Sequence, residues 1–225
     1  MKILSIIPAR GGSKGIKKKN LVRINKQPLL YYSIKSSLLS KKINKTVVST
    51  DNKEIADYAK KMGVEIIKRP KKLSSDRAQL EPVIEHVLSV LNKNEKYIPN
   101  LIILLQNTSP LRRSSDIDGA IRLLISKKFD SVLSGFVSHR LFWKKEKKIV
   151  RPMNYNPKER PRRQEMSKQF IENGAIFITK SSFFKKNKCR ISGKIGMFTM
   201  PEELSIEIDN EFELALAETI LKRKK

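Results

Sequence analysis

Arg10, Lys14 and Lys19 surround a turn, Gly11-Gly12-Ser13-Lys14-Gly15, that follows directly on the apolar run at residues 3–7. Glycines permit positive φ and close backbone approach, so successive N–H groups can point into one concavity. The three cations add charge around it. A strand that delivers a glycine-rich basic loop is a phosphate-binding device. Two common versions are excluded by spacing. No Gly-Lys-Ser/Thr stands at the P-loop interval, and Gly11, Gly12 and Gly15 do not fit G-x-G-x-x-G. A solvated basic turn is the plainer reading. Against it, ligands of open α/β sheets bind at the carboxyl ends of strands, and this loop lies at one.

Further polar clusters stand at matching places. Gln106-Asn107-Thr108-Ser109-Pro110-Leu111-Arg112 follows the apolar run 101–105, with Pro110 fixing a turn and Gln106, Thr108 and Ser109 offering donors and acceptors. Ser49-Thr50-Asp51 ends another apolar run, and there helix capping is the expected role of Asp51; Leu73-Ser74-Ser75-Asp76 lies beyond a third. Arg160-Pro161-Arg162-Arg163-Gln164 concentrates guanidinium groups ahead of Asn173-Gly174. Such forks suit carboxylate and phosphate, although on charge alone an exposed basic loop explains them. In Ser205-Ile206-Glu207-Ile208-Asp209, alternation puts Glu207 and Asp209 on one face and both isoleucines on the other. Two carboxylates on one face of a very basic chain suit a hard cation such as Mg²⁺; the plainer alternative has Asp209 capping a final helix and Glu207 paired with a lysine. His86 and Cys189 have no partner spacing for nucleophilic catalysis.

The elements that carry these clusters alternate. Strands are expected at 3–7, 46–50, 64–67, 101–105 and 131–134, separated by helices at 28–39, 52–62, 81–91 and 114–125. The run 101–105 is apolar throughout, as a strand covered on both faces should be. This β-α-β-α rhythm predicts an α/β fold, a mostly parallel sheet with helices on both faces. The rhythm breaks between Phe136 and Phe170, a stretch rich in Arg, Lys, Pro and Asn; 136–172 reads as an inserted arm or small lobe within a single domain over 1–225, suited to self-association. Strands at 175–179 and 196–200 and a helix at 211–221 follow.

Composition sets bounds on function. The net charge is +26, but lysines are dispersed along the chain and aromatics are few and not interleaved with them. That pattern implies only nonspecific nucleic-acid adhesion at low salt, without a stacking platform. One cysteine and two histidines exclude an intrachain disulfide and a Cys/His metal site. No apolar run is long enough to span a bilayer, and the chain enters a strand with no signal-peptide pattern, so a cytoplasmic location without membrane attachment is expected.

In order, IIPARGGSKGIKKKN (6–20), VVSTDNKEIADYAKKMGVEII (47–67), RPKKLSSD (69–76), LLQNTSPLR (104–112), RQEMSKQFIENGAIFI (163–178) and SIEID (205–209) resemble the acylneuraminate cytidylyltransferases, or CMP-sialic acid synthetases. The resemblance covers nearly the whole chain. It implies a Rossmann-like sheet with a dimerisation arm exchanged across a homodimer. It also implies transfer of CMP from CTP to a nine-carbon α-keto acid sugar, with release of pyrophosphate. By the same resemblance Ala9, Arg10, Gly11, Ser13, Lys14, Asn20 and Ser75 would hold the nucleotide, and Gln106, Lys144, Arg163 and Asn173 the sugar. Arg10, Lys19 and Asp209 would be catalytic, with Glu207 and Asp209 binding Mg²⁺. Two departures stand out. The family often has Asp-x-Asp where this chain has Glu207-Ile208-Asp209. Sialic acid enzymes can carry an arginine where Ile171 and Glu172 stand here, which leaves room for relatives such as legionaminate. The alternatives are a cytidylyltransferase for an eight-carbon keto acid such as Kdo, and a non-catalytic protein that binds polyanions or nucleic acid.

Overall fold

Strand β1 (Ile3–Pro8) is buried along nearly its whole length, and the two sides of its pleat enter different cores. Ile3 and Ile7 meet Leu30, Ile34, Val48, Ile103 and Ile121, whereas Leu4 and Ile6 meet Val47, Ile84, Val87, Leu104 and Phe177. Successive strand residues point to opposite faces, so a strand that is apolar at consecutive positions must be covered on both. In the computed structural model, which describes residues 1–13 and 15–223, helices cover both.

After β1 the short strands β2 (Arg23–Ile24) and β3 (Gln27–Pro28) lead into α1 (Leu29–Leu38). Then come β4 (Lys45–Thr50), α2 (Lys53–Lys61), β5 (Glu65–Lys68), α3 (Leu80–Glu95), β6 (Leu101–Leu104) and α4 (Ser114–Ser126). The second half holds β7 (Ser131–Ser138), β8 (Trp143–Glu146), β9 (Ile149–Pro152) and β10 (Gln169–Lys180). It closes with α5 (Ser181–Asn187), β11 (Ile195–Thr199) and α6 (Glu211–Arg223). Residues of α1, α2 and α4 pack on one face of the sheet; those of α3 and α5 pack on the other.

The seven-stranded sheet has the order β11-β7-β10-β6-β1-β4-β5. β1 is parallel to β4 and β6, β4 to β5, and β11 to β7. The run β5-β4-β1-β6 is doubly wound, with its order reversing between β1 and β6. The sheet is therefore mostly parallel, as expected. β10 is the exception, antiparallel to both β6 and β7.

The segment 136–172 is less separate than its composition implies. β7 continues to Ser138 and β10 begins at Gln169, paired from Gln169↔Ser138 to Glu172↔Gly135, so both ends of the segment extend the central sheet. Between them lies the β8–β9 hairpin, where Trp143 meets Tyr155 edge-on with ring centroids 5.9 Å apart. Phe142, Trp143, Ile149, Val150 and Met153 are exposed there.

Candidate active site

Parallel pairing brings the loops after β1, β4 and β6 to one edge of the sheet, and long-range hydrogen bonds join them. Ala9 is buried, and its N–H donates to the Ser49 carbonyl at 2.9 Å. Asn20 donates through Nδ2 to the Arg10 carbonyl at 2.9 Å. Buried Asn107 donates through Nδ2 to the Pro8 carbonyl (3.1 Å) and to Asn20 Oδ1 (3.0 Å). From the other side, the Gly11 N–H donates to Asp51 Oδ1 at 2.9 Å. The expected capping role of Asp51 is thus corrected. Asn52 caps α2 by accepting from the Ile55 N–H at 3.0 Å, which leaves Asp51 to hold the loop.

Between these loops lies a cleft of about 500 Å³. Of the residues expected from the sequence, Arg10, Ser13, Lys19, Asn20, Ser75, Gln106 and Asp209 line it. Arg69, Asp76 and Asn107 line it too, without having been assigned a role by the sequence. Lys14 lies outside the described residues.

The cations of the cleft already face carboxylates. Arg10 Nη1 is hydrogen-bonded and ion-paired to Asp76 Oδ1. Lys19 Nζ donates to Asp209 Oδ1 (2.8 Å) and to the Ile208 carbonyl (2.9 Å). Arg69 is buried and donates to the Ser49 carbonyl at 2.7 Å. Burial pushes its guanidinium down to about 10, against the pull of the Asp51 carboxylate and with a smaller push from Arg10.

The acidic face is built from the 205–209 segment. Ile208 is fully buried against Ile16, Ile24, Leu29 and Ala217, and its N–H donates to the Thr108 carbonyl at 2.7 Å. Asp209 lines the cleft, whereas Glu207 does not and lies against Gly174. Asp209 does not cap the last helix. Asn210 does, accepting from the Glu213 N–H at 3.0 Å. Burial pushes the Glu207 carboxyl above its ordinary value, as do Asp209, Glu172 and Glu213, with Lys19 opposing them. Gly174 has φ +60°, and a Cβ there would run into Gln106 Oε1 and Glu207 Oε1. Glycine alone lets these two oxygens lie against the backbone. Among the described residues no group of three or more His, Cys, Asp or Glu is arranged to hold a metal by itself. The pair Glu207–Asp209 fits a hard cation that brings further oxygens from phosphate and water.

Three expected sugar contacts fall elsewhere. Asn173 is buried with its amide occupied. Nδ2 donates to Ser205 Oγ (2.8 Å), and Oδ1 accepts from Ser134 Oγ (2.7 Å) and the Ala175 N–H (3.2 Å). It holds the backbone behind the site and does not line the cleft. Lys144 lies on β8, ion-paired to Glu146 at 3.2 Å. Arg163 lines a separate depression with His139, Leu141, Arg160, Pro161 and Met166. Neither lines the cleft of its own chain.

A family model described as cytidylyltransferase matches residues 4–223. The chain belongs to the cytidylyltransferase family. Within that family it is 32% identical over 232 residues to N-acylneuraminate cytidylyltransferase of Escherichia coli O18:K1:H7, covering 99% of this chain and 53% of that protein. Similarity to N-acylneuraminate cytidylyltransferase A of Danio rerio is 32% over 220 residues, covering 96% and 50%. The post-translational flagellin modification protein B of Campylobacter coli is 32% identical over 231 residues, covering 99% and 96%. The chain thus spans about half the length of the first two relatives and nearly all of the third. Among solved structures, CMP:2-keto-3-deoxy-manno-octonic acid synthetase complexed with CTP superposes with a TM-score of 0.73 over 100% of both chains, at 15% identity. At that identity the likeness shows a shared cytidylyltransferase fold. No helix among the described residues is long and apolar enough to cross a membrane.

The pairing of Arg10 with Asp76 yields a test. An incoming phosphate must compete with the Asp76 carboxylate for this guanidinium. Asp76→Asn is expected to tighten pyrophosphate binding about threefold in a calorimetric titration, a fraction of a kcal/mol as suits an exposed pair. Weaker binding would show that Asp76 itself helps to hold the ligand.

Proposed function

We propose that the chain transfers CMP from CTP to the anomeric hydroxyl of a nine-carbon, sialic-acid-like α-keto acid, releasing pyrophosphate. The observation that carries this reading is the cleft lined by Arg10, Lys19 and Asp209 together, at the edge where β1 and β6 end, with Lys19 already bonded to Asp209. The names of the relatives support the same substrates. At positions 171–172 the chain has Ile171 and Glu172, and Glu172 adds to the negative surroundings of Glu207. By the family resemblance, residues other than arginine at these positions leave room for relatives of N-acetylneuraminate such as legionaminate.

The anomeric oxygen forms a bond to the α-phosphorus and gives up its proton. The bond from the α-phosphorus to the bridging oxygen breaks, and pyrophosphate leaves with the electron pair. In such a transfer positioning and charge neutralisation do most of the work. Arg10 and the loop that carries it hold the phosphate chain, and Asn20 and Asn107 keep that loop in place. Lys19, anchored at the Ile208 carbonyl, offers its ammonium to charge that develops on the transferring phosphoryl. Ser75, which lines the cleft, would reach the nucleotide, and Gln106, which also lines it, the sugar. Mg²⁺, held by Glu207 and Asp209, would neutralise the leaving pyrophosphate and help to activate the attacking hydroxyl.

Lys144 and Arg163 complete the site only if the arm crosses to a second copy, so the active form is a homodimer whose exposed Phe142, Trp143 and Ile149 become buried. A cytoplasmic location fits an enzyme that uses CTP. Nucleic-acid adhesion is an incidental consequence of the charge.

Pyrophosphate release from CTP and Mg²⁺ is expected with one of N-acetylneuraminate, legionaminate, pseudaminate or Kdn. Arg10→Ala and Asp209→Ala are each expected to lower kcat by about 10²-fold or more. A response to Kdo alone would install the eight-carbon alternative, and silence with every sugar would contradict the reading. Sedimentation velocity is expected to show a dimer that Trp143→Asp dissociates with loss of activity. A fully active monomer would remove the arm from the mechanism.

A further inference from the structure

Arg112 sits behind the cleft rather than in it. Its side chain is 3% exposed, and its guanidinium donates to four acceptors on three parts of the fold. Nη1 donates to the carbonyls of Gln106 (3.1 Å) and Ala175 (2.7 Å). Nη2 donates to Ser33 Oγ (2.8 Å) and Nε to Ser36 Oγ (3.4 Å), both on α1. The nearby acid, Asp116, is taken up by Arg113, accepting from its backbone N–H (2.9 Å), Nε (3.2 Å) and Nη2 (2.9 Å). The buried charge of Arg112 is thus met by neutral dipoles. Burying a charge in this way is unfavourable, and an apolar chain of similar reach would fill the space without the penalty. What the apolar chain lacks is a planar fork that fixes several oxygens relative to one another.

Two of those oxygens flank one side of the site. Gln106 presents its own side chain to the cleft, and Ala175 follows Gly174, against which Gln106 Oε1 and Glu207 Oε1 both lie. The phosphate loop has holders of its own: the Ala9 N–H donates to the Ser49 carbonyl, the Gly11 N–H to Asp51, and Asn20 donates to the Arg10 carbonyl. We propose that Arg112 is a positioning residue that fixes the Gln106–Gly174–Glu207 junction, and through it the acceptor sugar, while nucleotide affinity is left to the phosphate loop. The identity of the acceptor rests on the cytidylyltransferase reading; the division between the two halves of the cleft does not.

Arg112→Lys keeps the charge and loses the fork. Ser33→Ala removes one acceptor of Arg112, together with the 3.4 Å bond that the Ser33 hydroxyl donates to the Gln106 carbonyl, and serves if the lysine variant does not fold. Three quantities are to be measured on the full chain: the CTP dissociation constant, kcat/KM for the sugar, and amide hydrogen exchange without ligand. CTP affinity is expected to stay within about twofold, whereas kcat/KM for the sugar falls roughly 10–100-fold, the scale of a small misplacement of reacting groups. Exchange should quicken at residues 104–108 and 173–176 and stay unchanged at 9–13. Ser33→Ala should show the same pattern more weakly. Equal losses of CTP affinity and turnover, or unaltered protection at 104–108 and 173–176, would overturn the proposal. A wild type inactive with every sugar, whose variants still show the selective exchange, would refute the cytidylyltransferase reading and retain the division of the cleft.

Discussion

The parallel register of β1 with both of its neighbours is the constraint on which the rest depends. Ile6 stands opposite Val47 on one side and Leu104 on the other, so the three strands end at nearly the same level. Only then can the Asn107 amide reach the Pro8 carbonyl and Asn20, and the Asp51 carboxylate reach the Gly11 N–H. A slip of one residue would turn Leu4 and Ile6 toward the wrong core and pull these loops apart. Packing of the two apolar faces therefore sets the geometry of the polar edge.

Net charge explains little of the cleft. A chain at +26 has cations everywhere, yet Arg10 and Lys19 each come with a carboxylate partner, from the segment after β5 and from the segment before α6. An anion entering here must displace these carboxylates, so its affinity would reflect what is given up as well as what is gained. The Glu207 carboxyl shows the complementary imbalance, since more acids than bases act on it. A ligand that brings both phosphate and a divalent cation answers both conditions together.

Much of this was legible before the fold. Periodicity placed the parallel strands and their helices. The direction of β10 was not legible, because a buried apolar run carries no sign of its orientation. Asp51 looked like a cap because capping preferences are local, and its actual partner lies 40 residues away. Arg112 and Arg69 passed as two more cations among many. Their roles come from burial, Arg112 against α1 and β10 and Arg69 against the end of β4, which only the assembled fold supplies. Lys144 and Arg163 lie between β7 and β10 and do not line the cleft, a placement that their residue types alone do not reveal.

The most direct test of the central claim, that this cleft is a CTP site built on the phosphate loop, is a calorimetric titration of the full chain with CTP and Mg²⁺, repeated after saturation with pyrophosphate. The account predicts saturable binding of one CTP per chain that prior pyrophosphate suppresses. Absence of CTP binding, or binding that pyrophosphate leaves untouched, would contradict it.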